Sequence, residues 1–205
     1  MRGSNSAPLA VVKVGGSLFD LPDLASRLSD FIRGLSSRVL LVPGGGAAAD
    51  VVRDLDRIHY LGDEVAHWLA LRAASLNGHF LQALLPESSL VCHPNEMPAI
   101  ESAILDAFAF AERDESSGNA LPHHWGVTTD AIAARAAIVA GASRIILCKS
   151  ADWPAQTCLQ DAAAGSVDAV FPPLVEAAGL EVVWVNLRSW QATAPQRIHP
   201  SSSGR

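Results

Sequence analysis

Lysine is almost absent from this chain: of fifteen basic residues, only Lys13 and Lys149 are lysine. Arginine therefore carries the surface positive charge. The two ammonium groups stand at or near the ends of apolar runs, where a compact, mobile charge differs most from a rigid guanidinium fork. Compositional bias toward arginine is the competing account of that pattern. Cysteine is scarce too. Cys92, Cys148 and Cys158 are odd in number and lack CxxC spacing, which leaves no support for a disulfide framework or a zinc knuckle and makes them core or incidental residues. No apolar run approaches the roughly 18 residues of a membrane span, and "MRGSNSAPLA" contains no apolar segment of signal-peptide length. The expectation is a cytoplasmic protein with no membrane partner. A net charge of −6 argues against a general nucleic-acid surface, which needs clustered cations that this chain lacks.

Two familiar phosphate-binding signatures are also missing. There is no GxxxxGK(S/T), and the first glycine pair is not a GxGxxG followed by a distant ribose-binding acid, so neither a Walker kinase nor a standard dinucleotide binder is indicated. No internal repeat is visible.

What is present is a chain of 205 residues, 49% of them hydrophobic, enough for one sizeable core and too few for two ordinary domains. Short, mostly non-alternating apolar runs at Leu9–Val14, Val39–Val42, Leu90–Cys92, Ile145–Cys148 and Val182–Val185 predict strands covered on both faces. Helical spacing occupies Leu24–Leu35, Ala47–Ile58, Asp63–Leu85, Asp130–Ala140 and Phe171–Ala178. The alternation predicts an α/β fold: a mainly parallel sheet sandwiched between helices in three layers. One domain over residues 9–190 is expected, with a flexible N-terminus at 1–8 and a loose tail at 191–205. The interval from Pro94 to His124 fits a helix, a short strand and a loop in several arrangements.

In open parallel sheets, ligands bind outside the carboxyl ends of the strands. Four motifs fall there. "VVKVGGSLFD" ends the first strand in Gly15, Gly16 and Ser17, and "LLVPGGGAAAD" ends the second in Gly44, Gly45 and Gly46 before a helix whose N-terminus would favour an anion. Glycine in such turns also has a purely steric explanation. "WGVTTDAIAARAA" places Thr128 or Thr129 as a helix cap and Asp130 in the first turn, where capping alone could explain the acid. The alternative is a carboxylate that holds one or both lysines. "RIILCKSADWP" ends an apolar run in Lys149, Ser150 and Asp152, followed by Trp153. That tryptophan is either a lid on the core or a base-stacking surface.

The ordered set "KVGGS", "PGGG", "TTDAIAARAA" and "KSADW", spread over about Leu9 to Leu187, resembles the amino acid kinase family, which includes acetylglutamate, aspartate, carbamate, uridylate and isopentenyl phosphate kinases. The resemblance implies an ATP-dependent phosphotransferase. Lys13 would neutralise charge on the transferring group, Lys149 would meet the leaving phosphate, and Asp130 would position both lysines. Gly15, Gly16, Ser17, Ser150, Asp152 and Trp153 would hold the nucleotide. Gly44, Gly45, Gly46, Arg53, His67, Thr128 and Thr129 would lie on the acceptor side. Mg²⁺ would be held through the ATP phosphates and not by a protein carboxylate cage. Where the family carries a DxDG-type nucleotide loop, this chain has "SADW" and no glycine.

Within the family the chain is most similar to a compact branch that includes the methanofuran-biosynthesis kinase, which converts an aminomethylfuranyl-methyl phosphate to its diphosphate. That placement rests on "DEVAHWLALRAA" and on the series from "HHWGVTTD" to "KSADW", and no regulatory domain is expected. His67, on an otherwise small and apolar helix, is either a buried, satisfied histidine or a ligand that works with Arg53 or Arg72 on the acceptor. A carboxylate, carbamate or nucleoside monophosphate acceptor, or a silent nucleotide sensor, would keep the same fold. The architecture often dimerises through helices, so a homodimer or larger homo-oligomer is an open expectation.

Overall fold

β-branched runs such as "AVVKV" and "EVVWVN" favour extended backbone, and when both faces are apolar they need a layer on each side. The computed structural model, which describes residues 8–97, 102–154, 159, 165–190 and 196–198, shows that arrangement. Six parallel strands form the sheet: β1 (Leu9–Val14), β2 (Arg38–Pro43), β3 (Ser89–Val91), β4 (Ser102–Leu105), β5 (Arg144–Lys149) and β6 (Glu181–Asn186). Gln196–Ile198 adds β7 antiparallel to β6, giving the order β3-β4-β2-β1-β5-β6-β7. Alternate residues of one strand serve two separate cores. Val11 joins Leu40, Val42, Ile145 and Leu147 on one face, while Val12 and Val14 join Val39, Leu41, Ile146 and Val183 on the other.

Helix α1 (Leu24–Arg33) buries Leu24, Leu28 and Phe31, spaced four and three residues apart along one stripe, against the second core. The first core is covered by α4 (Ala107–Asp114), α5 (Thr129–Ala140) and α6 (Phe171–Ala177). The alanines of α5 at 131, 133, 134, 136 and 137 are all buried, because a side chain of one carbon lets the helix lie close to the sheet. Helix α3 (Asp63–Leu84) contributes Leu71 and Ala74 to one core and Leu81 to the other. It passes the carboxyl ends of the strands at Gly78, where an added Cβ would stand 3.5 Å from the Pro43 side chain. Helix α2 (Gly46–His59) buries no residue.

The interval after Pro94 resolves into β4 and α4 on either side of Asp106, whose carboxylate accepts from Ala109 N at 3.0 Å. The strand was illegible because it is four residues long and begins with a buried serine. Ser102 and Ser88 exchange a hydrogen bond of 2.7 Å. The tail expected to be loose contains β7 instead, paired with β6 from Val182↔Ile198 to Trp184↔Gln196. The rest of that tail and the N-terminus at 1–7 lie outside the described residues. No described helix is long and apolar enough to cross a membrane.

Strand β1 sits between β2 and β5, with Val14 opposite both Pro43 and Cys148. The chain leaves β1 toward β2 on one side and reaches β5 on the other, so a crevice opens at their shared carboxyl end. There the two glycine loops close on each other. A Cβ on Gly44 would stand 2.5 Å from Gly16 N, and one on Gly46, whose φ is +51°, would stand 2.6 Å from Gly16 O. One on Gly16 would collide with the Gly46 backbone. Gly16→Ala is therefore expected to lose at least about 2 kcal/mol by overpacking. Gly118→Ala, left-handed at φ +73° but with open space around it, should lose about 1 kcal/mol. Urea unfolding of both variants tests this, and equal small losses would mean the loops separate freely.

Candidate active site

Lys13 is the fifth residue of β1 and faces the helix layer that contains α5, where it is 6% exposed. Asp130 lies in the first turn of α5 and is 3% exposed. Lys149 is the last residue of β5. The three meet: Lys13 Nζ is 2.7 Å from Asp130 Oδ1, and Lys149 Nζ donates to Asp130 Oδ2 at 2.7 Å. Lys149 also donates to the Ser166 carbonyl at 3.0 Å. Burial opposes charge on Asp130, but the two ammonium groups override it and hold its pKa below the ordinary value. Burial pushes Lys149 down to about 8, with Lys13 adding to the shift and Asp130 opposing it. Cys148, between these groups in sequence, is pushed up to about 12 by burial, so its thiol is inert near neutral pH.

The triad borders a cavity of about 420 Å³, closed below by Gly16 and Ser17 and on one side by Gly44, Gly45 and Gly46. Asn77 of α3 fixes the second loop by donating to Gly44 O at 2.6 Å and Gly45 O at 2.8 Å. Because the residue before α2 is Gly45, no side chain caps that helix. Its first-turn N–H groups remain for an anion. Ser17 reaches across to Ser150 at 2.8 Å, and Gly15 N donates to Cys148 O at 2.8 Å.

At the other end of the cavity stand Arg53, His67, His124 and Trp125. The Arg53 guanidinium lies 4.8 Å from the centre of the Trp125 ring and pairs with Asp50. Trp125 Nε1 donates to Asp56 Oδ2 at 2.8 Å. His67 is buried at 6% exposure and stacks on His123 at 4.7 Å. Burial and the neighbouring His123 charge press its pKa down to about 4, so it is neutral at physiological pH. His123 Nδ1 meets Glu64 at 2.7 Å and Nε2 meets Glu115 at 3.0 Å. Burial works against its charge, yet those two carboxylates raise its pKa.

Of the residues expected from sequence, Lys13, Gly16, Ser17, Gly44, Gly45, Gly46, Arg53, His67, Thr128, Thr129, Asp130 and Lys149 line this one cavity. Gly15, Ser150, Asp152 and Trp153 do not line it. Asp152 accepts from Asn186 Nδ2 at 3.0 Å. The base-stacking option for Trp153 is corrected: the ring is 7% exposed and packs edge-on to Trp184 at 4.9 Å, inside the core. Arg72 is also away from the site, lying over Phe108. Thr128 is the cap of α5, its Oγ1 accepting from Asp130 N at 3.2 Å. That bond frees the Asp130 carboxylate from capping.

Sequence reasoning missed Asp168, Asn77, His124 and Trp125. Asp168 stands three positions before the first residue of the helical "FPPL", close enough to accept from the first N–H groups of α6, but nothing local signals its second set of bonds to α5. Asn77 sits mid-helix and carried no local signal. Among the described residues no group of three or more His, Cys, Asp or Glu side chains could hold a metal ion.

The His123 contacts set a sign for pH. Its pKa is raised above the ordinary 6.5, so its contribution to stability is complete below that value and is lost as pH rises through the raised one. His123→Gln should lower the urea midpoint clearly near pH 6 and much less near pH 9. Equal loss at both values would mean that the ring is not charged between the two carboxylates.

The chain is similar in sequence and in fold to known proteins. A protein of Methanocaldococcus jannaschii named "[5-(aminomethyl)furan-3-yl]methyl phosphate kinase" is 26% identical over 126 residues, 60% of this chain and 56% of that protein. The match thus spans little more than half of that relative. The fold is similar to UMP kinase from Ureaplasma parvum, with a TM-score of 0.58 and 17% identity over 89% of this chain and 91% of the other. Aspartate kinase from Synechocystis superposes with a TM-score of 0.69 at 14% identity, covering 96% of this chain and 40% of that one. Residues 8–152 match the amino acid kinase family, a span that contains both glycine loops and all three residues of the triad, and the chain belongs to that family.

Proposed function

We propose that this chain is an ATP-dependent kinase that transfers the γ-phosphoryl group to a phosphorylated small acceptor of the aminomethylfuranyl-methyl phosphate type, giving a diphosphate. The observation that carries the reading is the pair of ammonium groups held on one buried carboxylate at the wall of a cavity between two glycine loops. Phosphoryl transfer needs little covalent help from a protein. It depends on in-line positioning and on cations that meet developing charge on phosphate oxygens.

The residues fit such a ligand. Lys13, Lys149 and Asp130 together present one net positive charge to the cavity, and the uncapped start of α2 adds backbone N–H donors. Asp130 has both oxygens occupied by lysine, which supports Mg²⁺ held through nucleotide phosphates and not by a carboxylate cage. Bound ATP with Mg²⁺ supplies the phosphoryl group. Lys13 and Lys149 would steady its charge as the bond changes, while the Gly44–Gly46 loop, pinned by Asn77, keeps the acceptor in line.

At the acceptor end, Arg53 is the one arginine that lines the cavity among the described residues, which supports an acceptor that already carries an anion. Trp125, His124 and neutral His67 offer flat faces for a small aromatic ring. The relative named as an aminomethylfuranyl-methyl phosphate kinase supports the same choice. A cytoplasmic location fits a reaction of this kind.

ADP release measured over a panel of acceptors tests the proposal, comparing an aminomethylfuranyl-methyl phosphate with its free alcohol, UMP, carbamate and aspartate. At least about tenfold preference for the phosphorylated furan is expected, from a charged contact worth about 1.5 kcal/mol or more. Comparable or faster turnover with UMP, carbamate or aspartate would reassign the acceptor. Lys13→Arg should lose about a hundredfold in turnover while folding normally, because a guanidinium cannot take the point position of an ammonium. Near-wild-type turnover in that variant would remove Lys13 from the reaction.

A further inference from the structure

One carboxylate outside the triad, Asp168, bonds to the start of the helix that carries Asp130. Asp168 is 8% exposed and follows Ser166, the residue whose carbonyl holds Lys149, by two positions. Its Oδ2 accepts from Thr128 N at 2.9 Å, Thr128 Oγ1 at 2.7 Å and Ala131 N at 3.1 Å. Its Oδ1 accepts from Val170 N at 3.1 Å and Phe171 N at 2.8 Å. Five donors from two helix N-termini converge on one side chain that is nearly removed from water. Such a carboxylate has little lone-pair capacity left for a metal ion or a substrate.

The bonds form a relay. Thr128 Oγ1 donates its hydroxyl hydrogen bond to Asp168, which leaves the Thr128 oxygen lone pairs free to accept from Asp130 N at 3.2 Å. That contact fixes the first turn of α5, and the turn fixes the Asp130 carboxylate between Lys13 and Lys149. The segment around Asp168 therefore touches the triad twice: through the Ser166 carbonyl on Lys149 and through Thr128 on Asp130. Capping α6 alone would need only the two bonds to Oδ1.

We propose that Asp168 is a positioning residue for phosphoryl transfer, holding the Asp130 carboxylate in register with the two lysines through Thr128. The role in transfer rests on the kinase reading above, whereas the control of triad geometry does not. An asparagine at 168 presents an NH₂ group to donors on one side, so it satisfies at most one helix N-terminus and turns the other away.

The composition of the chain supplies a direct test, because these 205 residues labelled with ¹³C-lysine give only two side-chain Cε signals, from Lys13 and Lys149. Lys149 in the wild type should titrate near 8. In Asp168→Asn and in Thr128→Val its midpoint should fall by about half a unit or more, because the Asp130 charge moves away while the desolvation remains. Thr128→Ser, which keeps the hydroxyl, should restore the wild-type midpoint. With the preferred acceptor, kcat of Asp168→Asn and Thr128→Val should fall about tenfold or more with little change in KM for ATP.

A cap that only stabilises the helices would lower the melting temperature and leave the Lys149 midpoint and kcat of the folded protein unchanged, which would overturn the proposal. If Asp168→Asn does not fold, Thr128→Val decides alone, since it leaves both Oδ1 bonds in place. An unshifted Lys149 midpoint there overturns the proposal too. A shifted midpoint in a protein that phosphorylates no acceptor would retain the geometric role and reject the kinase reading.

Discussion

The structure turns on one carboxylate that holds two ammonium groups in a place with almost no water. Asp130 and Lys13 are both nearly fully buried, and Lys149 is mostly so. Desolvating such charges is expensive unless each finds a counter-charge and fixed donors. Burial pushes the pKa of Lys149 down to about 8 even beside Asp130, and the second ammonium at Lys13 adds to the shift. A structural ion pair would be balanced. Two ammonium groups on one carboxylate at the wall of a cavity suit an anionic ligand such as a phosphate.

The rest of the fold serves that arrangement. Parallel pairing of β1 with β2 and β5 aligns their carboxyl ends, which brings Lys13, the Gly44 loop and Lys149 to one edge. The alanine face of α5 allows that helix to approach β1 closely enough for Asp130 to reach both lysines. Glycines at 16, 44 and 46 let two backbone loops pack directly on each other, and so peptide groups of both loops border the cavity beside the Ser17 side chain. Two polar side chains then lock the pieces: Asn77 on the second loop and Asp168 on the start of α5.

Much of this was legible in the sequence, for physical reasons. Strands buried on both faces leave unbroken apolar runs, so β1, β2, β5 and β6 were located to within a residue or two, and long helices with one apolar stripe were equally clear. The two lysines stood out because arginine fills every other basic position. What escaped depends on contacts between residues distant in sequence. The strand β4 is short and opens with a serine satisfied by Ser88, and β7 exists only because β6 offers an unpaired edge. The glycines were open to a steric or a ligand explanation, and that the two loops face each other could not be read from either motif alone. Asp168 and Thr128 are 40 positions apart, and no local pattern records a bond across that distance. Trp153 was legible only as a choice between a lid on the core and a base platform, and Trp184 on β6 draws it into the core.

The central claim is that the Asp130 charge organises two lysines for phosphoryl transfer. Single-turnover transfer from ATP by Asp130→Asn, measured on protein shown to be folded and to bind the nucleotide, tests it most directly. Asparagine keeps the shape and a hydrogen-bond acceptor but cannot balance two ammonium groups. The expected result is a loss of about a hundredfold or more in the rate of transfer, together with a stability loss of about 3–5 kcal/mol from uncompensated buried charge. Wild-type transfer by the folded variant would contradict it and reduce Asp130 to a residue of the helix start.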